Sequence, residues 1–75
     1  MKELLEYIVK NIVEHPEDVC ITEEQKEGEL VLRLTVNPSD MGKVIGRQGR
    51  IARAIRTIVK SAAPDDCKVS VDIQD

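Results

Sequence analysis

The sequence predicts an α+β domain with the element order α-β-β-α-α-β, in which three helices cover one face of a three-stranded mixed sheet. Two segments have apolar residues spaced three and four apart, and three short segments alternate between apolar and polar residues. A Glu27-Gly28 pair separates the first two alternating segments. Because the chain has 75 residues and no linker-like stretch, we expect a single domain over residues 1–75.

The first half of the chain predicts a helix and a β-hairpin. Residues 2–14 have the spacing of an amphipathic helix, which Pro16 is expected to end. Residues 19–23 are rich in β-branched side chains, and residues 29–36 alternate, so both predict strands joined at the turn in antiparallel fashion. Tyr7 is expected to pack at the edge of the core.

The second half predicts two helices followed by a third strand. Asn37 is a candidate N-cap with Pro38 at the first helical position, and the short helix should run to Ile45. A longer helix is expected over residues 48–63 and a strand over residues 69–73. Since a helical crossover joins the second and third strands, they should lie parallel and adjacent, with the first strand on the other side of the second.

Charge is distributed unevenly along this acidic chain. Residues 41–63 carry six basic and no acidic side chains, so a segment of +6 within a chain of −3 leaves −9 for the remainder. Such asymmetry is expected when one face meets phosphates. On a helical wheel Ile51, Ile55, Ile58, Val59 and Ala62 cluster on one side. The basic residues Arg50, Arg53, Arg56 and Lys60 fall nearly opposite. We interpret Arg56 and Lys60 as a solvated or partner-facing surface.

Two glycines interrupt the helical pattern of this basic segment. A glycine within a helix costs about 1 kcal/mol relative to alanine, so Gly46 and Gly49 predict a tight turn that a foreign backbone can approach closely. Arg47 and Gln48 at its tip can donate hydrogen bonds. The amide groups at the start of the following helix suit a phosphate.

A Gly-x-x-Gly turn preceded by Val44-Ile45, placed between two helices after a hairpin, resembles type II KH domains. The run from Asn37 to Gly49 is similar to the small bacterial single-KH proteins of the KhpA family. This resemblance implies a single-stranded RNA-binding protein that acts as an RNA chaperone or post-transcriptional regulator linked to cell elongation and envelope growth. It also implies a homodimer, or a heterodimer with a larger KH protein of the KhpB (Jag) type.

The predicted RNA-binding site surrounds the glycine turn. Basic and amide side chains would contact phosphates, the glycines would admit the backbone, and the flanking aliphatic residues would support bases. With one Tyr and no Phe or Trp, an aromatic stacking platform is not expected. The predicted residues are Lys43, Val44, Ile45, Gly46, Arg47, Gln48, Gly49, Arg50 and Ile51.

Other classes of function receive less support from the residues. The single His15 and the absence of a nucleophile–base pattern or a phosphate-binding GxxxxGK[ST] motif argue against an enzyme. Cys20 and Cys67 lack metal-type spacing, so we expect no metal or other cofactor and two reduced thiols. With no signal peptide and no membrane span expected, a cytoplasmic location follows. A protein-interaction module without direct RNA binding is the alternative, and the residues leave RNA versus single-stranded DNA open.

Overall fold

The computed structural model describes residues 1–74, and its element order is the predicted one. Short 3₁₀ turns at Pro16–Asp18, Pro38–Asp40 and Arg47–Gly49 lie between the main elements. The helices and strands are α1 (Lys2–Lys10), β1 (Cys20–Lys26), β2 (Glu29–Thr35), α2 (Met41–Ile45), α3 (Arg50–Ala62) and β3 (Lys68–Gln74).

The sheet has the predicted order β1-β2-β3 and the predicted strand directions. β1 runs antiparallel to β2, with Ile21 opposite Leu34, and β2 runs parallel to β3, with Leu32 opposite Val71. The predicted two-residue turn joins β1 to β2, and both Glu27 and Gly28 have positive φ, 51° and 79°. Positive φ at both central residues matches the right-handed twist of a hairpin, which accounts for the glycine here.

The core lies between the helices and one face of the sheet. Alternate strand positions point to this face, which is why Leu32 and Leu34 of β2 are buried and Leu30 is partly buried. Helical residues from α1, α2 and α3 complete an entirely aliphatic core. Its members are Leu5, Val9, Ile21, Leu32, Leu34, Val36, Val44, Ile55, Val59, Val69 and Val71.

α1 ends at Lys10, four residues before the predicted end at residue 14, and a tertiary contact holds the segment that follows it. The fully buried Asp40 carboxylate accepts hydrogen bonds from the backbone N–H groups of Glu14 (3.1 Å) and His15 (3.0 Å). Burial by itself would raise the pKa of Asp40, but these two hydrogen bonds, together with the electrostatic attraction of His15 and Lys43, outweigh it, so its pKa lies below the ordinary value. Asp40 thereby fixes the segment after α1 to the start of α2.

Two predictions about individual side chains were wrong. Tyr7 does not pack at the core edge, since 71% of it is exposed on the outer side of α1. The buried stripe of α3 consists of Ala52, Ile55 and Val59, whereas Ile51, Ile58 and Ala62, also predicted on the apolar side, are exposed. The buried stripe is therefore rotated toward Ala52, a residue too small to stand out in a hydrophobic pattern.

The structure also bears on membrane insertion. The longest helix within residues 1–74 is α3, with 13 residues. No helix in this part of the chain combines the length and apolarity needed to cross a bilayer.

Candidate nucleic-acid interface

The turn between α2 and α3 is built from three residues with positive φ. Gly46 follows the last residue of α2 with φ 73° and ψ 175°, and Gln48 (φ 57°) and Gly49 (φ 73°) adopt left-handed conformations. Because these conformations cannot continue a helix, α3 begins at Arg50 rather than at the predicted residue 48. The turn therefore projects Arg47 and Gln48 outward, and both are exposed.

The two glycines serve different purposes. A Cβ added at Gly46 would lie 2.6 Å from Cγ1 of Ile51, so glycine is required there for packing within the protein as well as for its positive φ. At Gly49 the same construction meets no atom within 4 Å among the described residues. Only Gly49 thus leaves open space at the surface, into which another molecule's backbone can move.

Arg53 stabilises the turn from the next helical turn. Its Nη2 donates to the backbone carbonyl of Gln48 at 3.2 Å, and the N–H of Gly49 donates to the carbonyl of Gly46, also at 3.2 Å. The sequence prediction did not include Arg53. The sequence feature that could have identified Arg53 is its position, one helical turn after a glycine turn. No side chain among residues 1–74 caps the amino end of α3, which leaves that end accessible to an anion.

The structure places the predicted polar residues in two groups. Arg47, Gln48 and Arg50 are exposed around the turn and lie together. Lys43 is also exposed, but its Nζ lies 3.6 Å from Oε1 of Glu14. An exposed ion pair of this kind is weak and easily exchanged. Lys43 therefore contacts the segment after α1, although it lies on α2 just before the glycine turn.

The predicted apolar residues also divide. Val44 is fully buried in the core beneath the turn, so it supports α2 and offers no surface to a ligand. Ile45 and Ile51, on either side of the turn, are 37% and 39% exposed. These two side chains provide the apolar surface next to the exposed polar tip.

The surface of α3 has two contrasting sides. We call Arg53, Arg56 and Lys60 the basic flank, and Ile51, Ile58 and Ala62 the apolar flank. Arg56 was predicted to be solvated or partner-facing; it is exposed, and its Nε donates to the carbonyl of Val71 in β3 at 3.2 Å. The basic flank consequently borders β3, and the buried stripe separates it from the apolar flank.

One group of side chains within residues 1–74 has the composition of a metal site. Ligand atoms of His15, Glu17 and Asp18 lie within 4.8 Å of one another. Their contacts are internal, because His15 Nδ1 lies 3.5 Å from Glu17 and Asp18 accepts a hydrogen bond from Asn37 at 2.9 Å. These contacts account for the cluster as part of the turn that precedes β1.

The fold and the glycine turn together define a class of protein. A β-hairpin, a helix–Gly-x-x-Gly–helix unit and a third strand parallel to the second constitute a KH domain of type II. The sequence model of the KH domain of KhpA and KhpB matches residues 2–74. The chain therefore belongs to the KhpA/KhpB family of KH domains.

Individual relatives agree with this assignment over nearly their whole length. The chain is 57% identical to the RNA-binding protein KhpA of Clostridium perfringens over 97% of its own length and 99% of the relative. It is 50% identical to KhpA of Listeria monocytogenes, with 97% of each chain covered. It is 47% identical to KhpA of Chlamydia trachomatis over 100% of this chain and 97% of the relative. These relatives are named for RNA binding and not for catalysis, which agrees with the prediction that the protein is not an enzyme.

Proposed function

We propose that this protein binds single-stranded RNA by clamping its backbone at the Gly46–Gly49 turn. The observation that carries the proposal is the exposed tip of Arg47 and Gln48 beside the open space at Gly49 and the uncapped amino end of α3. Together they present two donor side chains and helix amide groups to one phosphate-sized region. KH domains use such turns to hold four backbone nucleotides.

Each residue of the proposed site has a distinct role. Arg47 and Arg50 neutralise phosphates, Gln48 donates hydrogen bonds, and the exposed parts of Ile45 and Ile51 contact bases. Lys43 adds a cation at the edge once its pair with Glu14 opens. Gly46 and Val44 do not contact the RNA; they act by shaping the turn.

Recognition of this kind depends on shape and charge more than on stacking. The sole aromatic side chain, Tyr7, lies on α1 and not at the turn. A site that neutralises about three or four phosphates on a single strand gives a log–log salt slope of about −2 to −3. One such module binds weakly, so linking two modules increases the affinity through their effective concentration.

We also propose that the apolar flank of α3 mediates this pairing. Ile58 is 46% exposed on a helix whose buried stripe is already complete, and its neighbours on that flank are uncharged. Exposed apolar residues that lie together favour a protein contact. The partner is a second copy of this chain or a KH protein of the KhpB (Jag) type, as membership of the KhpA/KhpB family suggests.

At the level of the cell, we propose a cytoplasmic RNA chaperone or post-transcriptional regulator linked to cell elongation and envelope growth. The support for this part is family membership, since the relatives are RNA-binding proteins of bacteria. A paired clamp that holds the RNA backbone suits a protein that acts on many transcripts.

A double substitution of the turn tests the clamp. R47D with Q48D replaces the two donors by carboxylates, which repel phosphates. We expect the affinity for a short fluorescent oligoribonucleotide, measured by polarisation, to fall at least about 100-fold, that is by about 3 kcal/mol. Because both residues are exposed, the fold should persist, and the circular dichroism spectrum should be unchanged.

The matched control is Q25D with K26D, which makes the same change in charge on β1, at the hairpin end of the sheet. Its affinity should stay within about threefold of the wild-type value, since weak long-range repulsion is largely screened. Equal losses in both double variants would show that binding follows total charge and not the turn. Unchanged binding in R47D/Q48D would favour the second candidate function, a protein-interaction module that uses the apolar flank without direct RNA binding.

A further inference from the structure

A charged side chain is buried immediately before α2. Asp40 is fully buried, whereas the other buried side chains within residues 1–74 are aliphatic. Each of its two carboxylate oxygens accepts one backbone N–H, from Glu14 at 3.1 Å and from His15 at 3.0 Å. Burying a carboxylate is costly even when it is hydrogen-bonded, and apolar residues of similar volume often stabilise a protein at least as well. Stability alone therefore does not account for a carboxylate at this position.

The carboxylate gives α2 a fixed orientation. This helix has only five residues, too few to be stable through its own hydrogen bonds. Val44 is its buried side chain, and one apolar contact has no preferred direction, so the helix can rotate about it. The two hydrogen bonds of Asp40 are directional, and they tie the start of α2 to the segment after α1. A further hydrogen bond, from Nδ2 of Asn37 to Oδ2 of Asp18 at 2.9 Å, joins the residues on either side of this contact.

The orientation of α2 determines where the glycine turn lies. Gly46 follows α2 directly, and its N–H donates to the carbonyl of Gly42 at 2.9 Å, so a movement of α2 displaces the turn. α3 is held separately, through its own buried stripe on the sheet. The proposed RNA site takes residues from both helices. Their relative placement therefore depends on α2 being held in one orientation.

We propose that Asp40 is a positioning residue for RNA binding, which holds α2 and the glycine turn in the orientation that clamps the RNA backbone. It acts without touching RNA, because none of its surface is exposed. This inference rests on the proposed clamp, and it assigns a function to the contact between α2 and the segment after α1.

D40N tests this role. It keeps the size of the side chain but replaces one acceptor oxygen by an amino group that faces a backbone N–H, so α2 loses its fixed orientation in most molecules. We expect the affinity for a labelled oligocytidylate of four nucleotides, measured by polarisation, to fall about tenfold, as it does when about one-tenth of the molecules are competent to bind. Charge alone predicts the opposite sign, since removing a carboxylate that attracts Lys43 favours the binding of phosphates.

E14Q is the matched control for charge. It removes one carboxylate beside Lys43, as D40N does, but it leaves the backbone N–H of residue 14 bonded to Asp40. Its affinity for the same RNA should equal or slightly exceed that of the wild-type protein. A loss of affinity in E14Q equal to that in D40N would overturn the positioning role, because the hydrogen bonds of Asp40 would then not be its cause.

V69A is the control for stability. It shortens a core side chain of β3 that is not part of the proposed site. It should lower the urea midpoint of unfolding at least as much as D40N does, and under conditions where it is folded it should change the affinity by no more than about twofold. Equal losses of affinity in V69A and D40N would overturn the proposal, and so would an unchanged affinity in D40N.

Hydrogen exchange in the wild-type protein tests the same coupling without a substitution, and it applies even if D40N fails to fold. If the Asp40 contact favours the RNA-competent turn, bound RNA must stabilise that contact by the same factor. Exchange of the Glu14 and His15 amides should therefore slow about tenfold more than exchange of Cys67, whose N–H also donates within a turn, to Pro64 at 3.0 Å.

Equal slowing at these three amides would overturn the proposal, because it indicates only the general stabilisation that any bound ligand gives. The clamp itself is tested separately by the double substitution of the turn. A loss of binding in R47D/Q48D leaves the clamp standing whatever the result for the Asp40 contact.

Discussion

The two flanks of α3 have similar sequence spacing but different surroundings. On the basic flank, Arg56 is exposed and also attached to the neighbouring strand through the carbonyl of Val71. On the apolar flank, Ile58 keeps 46% of its surface exposed although it belongs to the most hydrophobic residue types. A charged side chain is thus partly anchored while an aliphatic one remains in solvent.

This difference shows that exposure on α3 is decided by the elements packed beside the helix. The stripe of Ala52, Ile55 and Val59 faces the sheet, so the two flanks lie on either side of it. β3 borders one flank and supplies a backbone acceptor. The exposed apolar side chains of the other flank are the ones that a partner would cover. In the proposed arrangement, RNA follows the first flank and meets the second only at Ile51 beside the turn, while a protein partner covers Ile58 and Ala62.

The largest expected effect concerns self-association through the apolar flank. I58D places a carboxylate in the proposed protein contact, where burying a charge that has no cation beside it is costly. We expect the dissociation constant of the dimer, measured by sedimentation velocity, to rise at least about 100-fold. The affinity of the resulting monomer for a four-nucleotide RNA should stay within about threefold of wild type, because the KH turn that holds this length is intact.

T57D is the matched control, since Thr57 is exposed on the same helix but outside both flanks. It should leave association close to the wild-type value. The apolar flank would not be a protein contact if the wild-type protein sedimented as a monomer at all concentrations. The same would follow if T57D weakened self-association as much as I58D does.

An intermediate effect concerns Ile51, the first residue of the apolar flank, which lies against Gly46. G46A should lower the free energy of unfolding by about 3 kcal/mol, because it adds an unfavourable backbone conformation to a clash with Ile51. G49A, at an open position, should cost only about 1 kcal/mol for its left-handed conformation. Urea denaturation followed by circular dichroism measures both values. Equal losses of stability would mean that Ile51 moves aside freely and that the two glycines are equivalent.

The smallest expected effect tests the basic flank alone. R56Q removes one cation and weakens the link to β3, so the affinity for an RNA of about eight nucleotides should fall about fivefold, close to 1 kcal/mol. Self-association should not change. Polarisation and sedimentation on the same preparations give the two values, and I58D should show the opposite pattern. A loss of self-association in R56Q would contradict the division of α3 into two flanks.

Much of the architecture could be predicted from local patterns. The alternation in β2 identified its buried face, and Glu27-Gly28 identified the hairpin turn, because both depend on neighbouring residues only. The parallel pairing of β2 with β3 followed from the helical connection between them. The glycine turn was likewise predictable, since two glycines within four residues interrupt a helical pattern at a defined place.

The contacts that shape the site could not be predicted in the same way. Asp40 accepts hydrogen bonds from residues 25 and 26 positions earlier in the chain, and nothing in the local pattern indicates such a pairing. In the sequence Arg53 is one more cation on a basic helix, and only its hydrogen bond to Gln48 ties it to the turn. Val44 belongs to the same apolar pair as Ile45, yet only Ile45 is exposed.

The sequence by itself determined the element order, the sheet topology and the position of an exposed turn with donor side chains, because periodicity and glycine chemistry act over a few residues. Only the tertiary structure decided which glycine of that turn faces open space and which packs against Ile51. It also decided that the basic flank borders β3, and that the Asp40 carboxylate meets the segment after α1. These features arise where elements distant in sequence pack together, and a local pattern does not specify which side chains meet there.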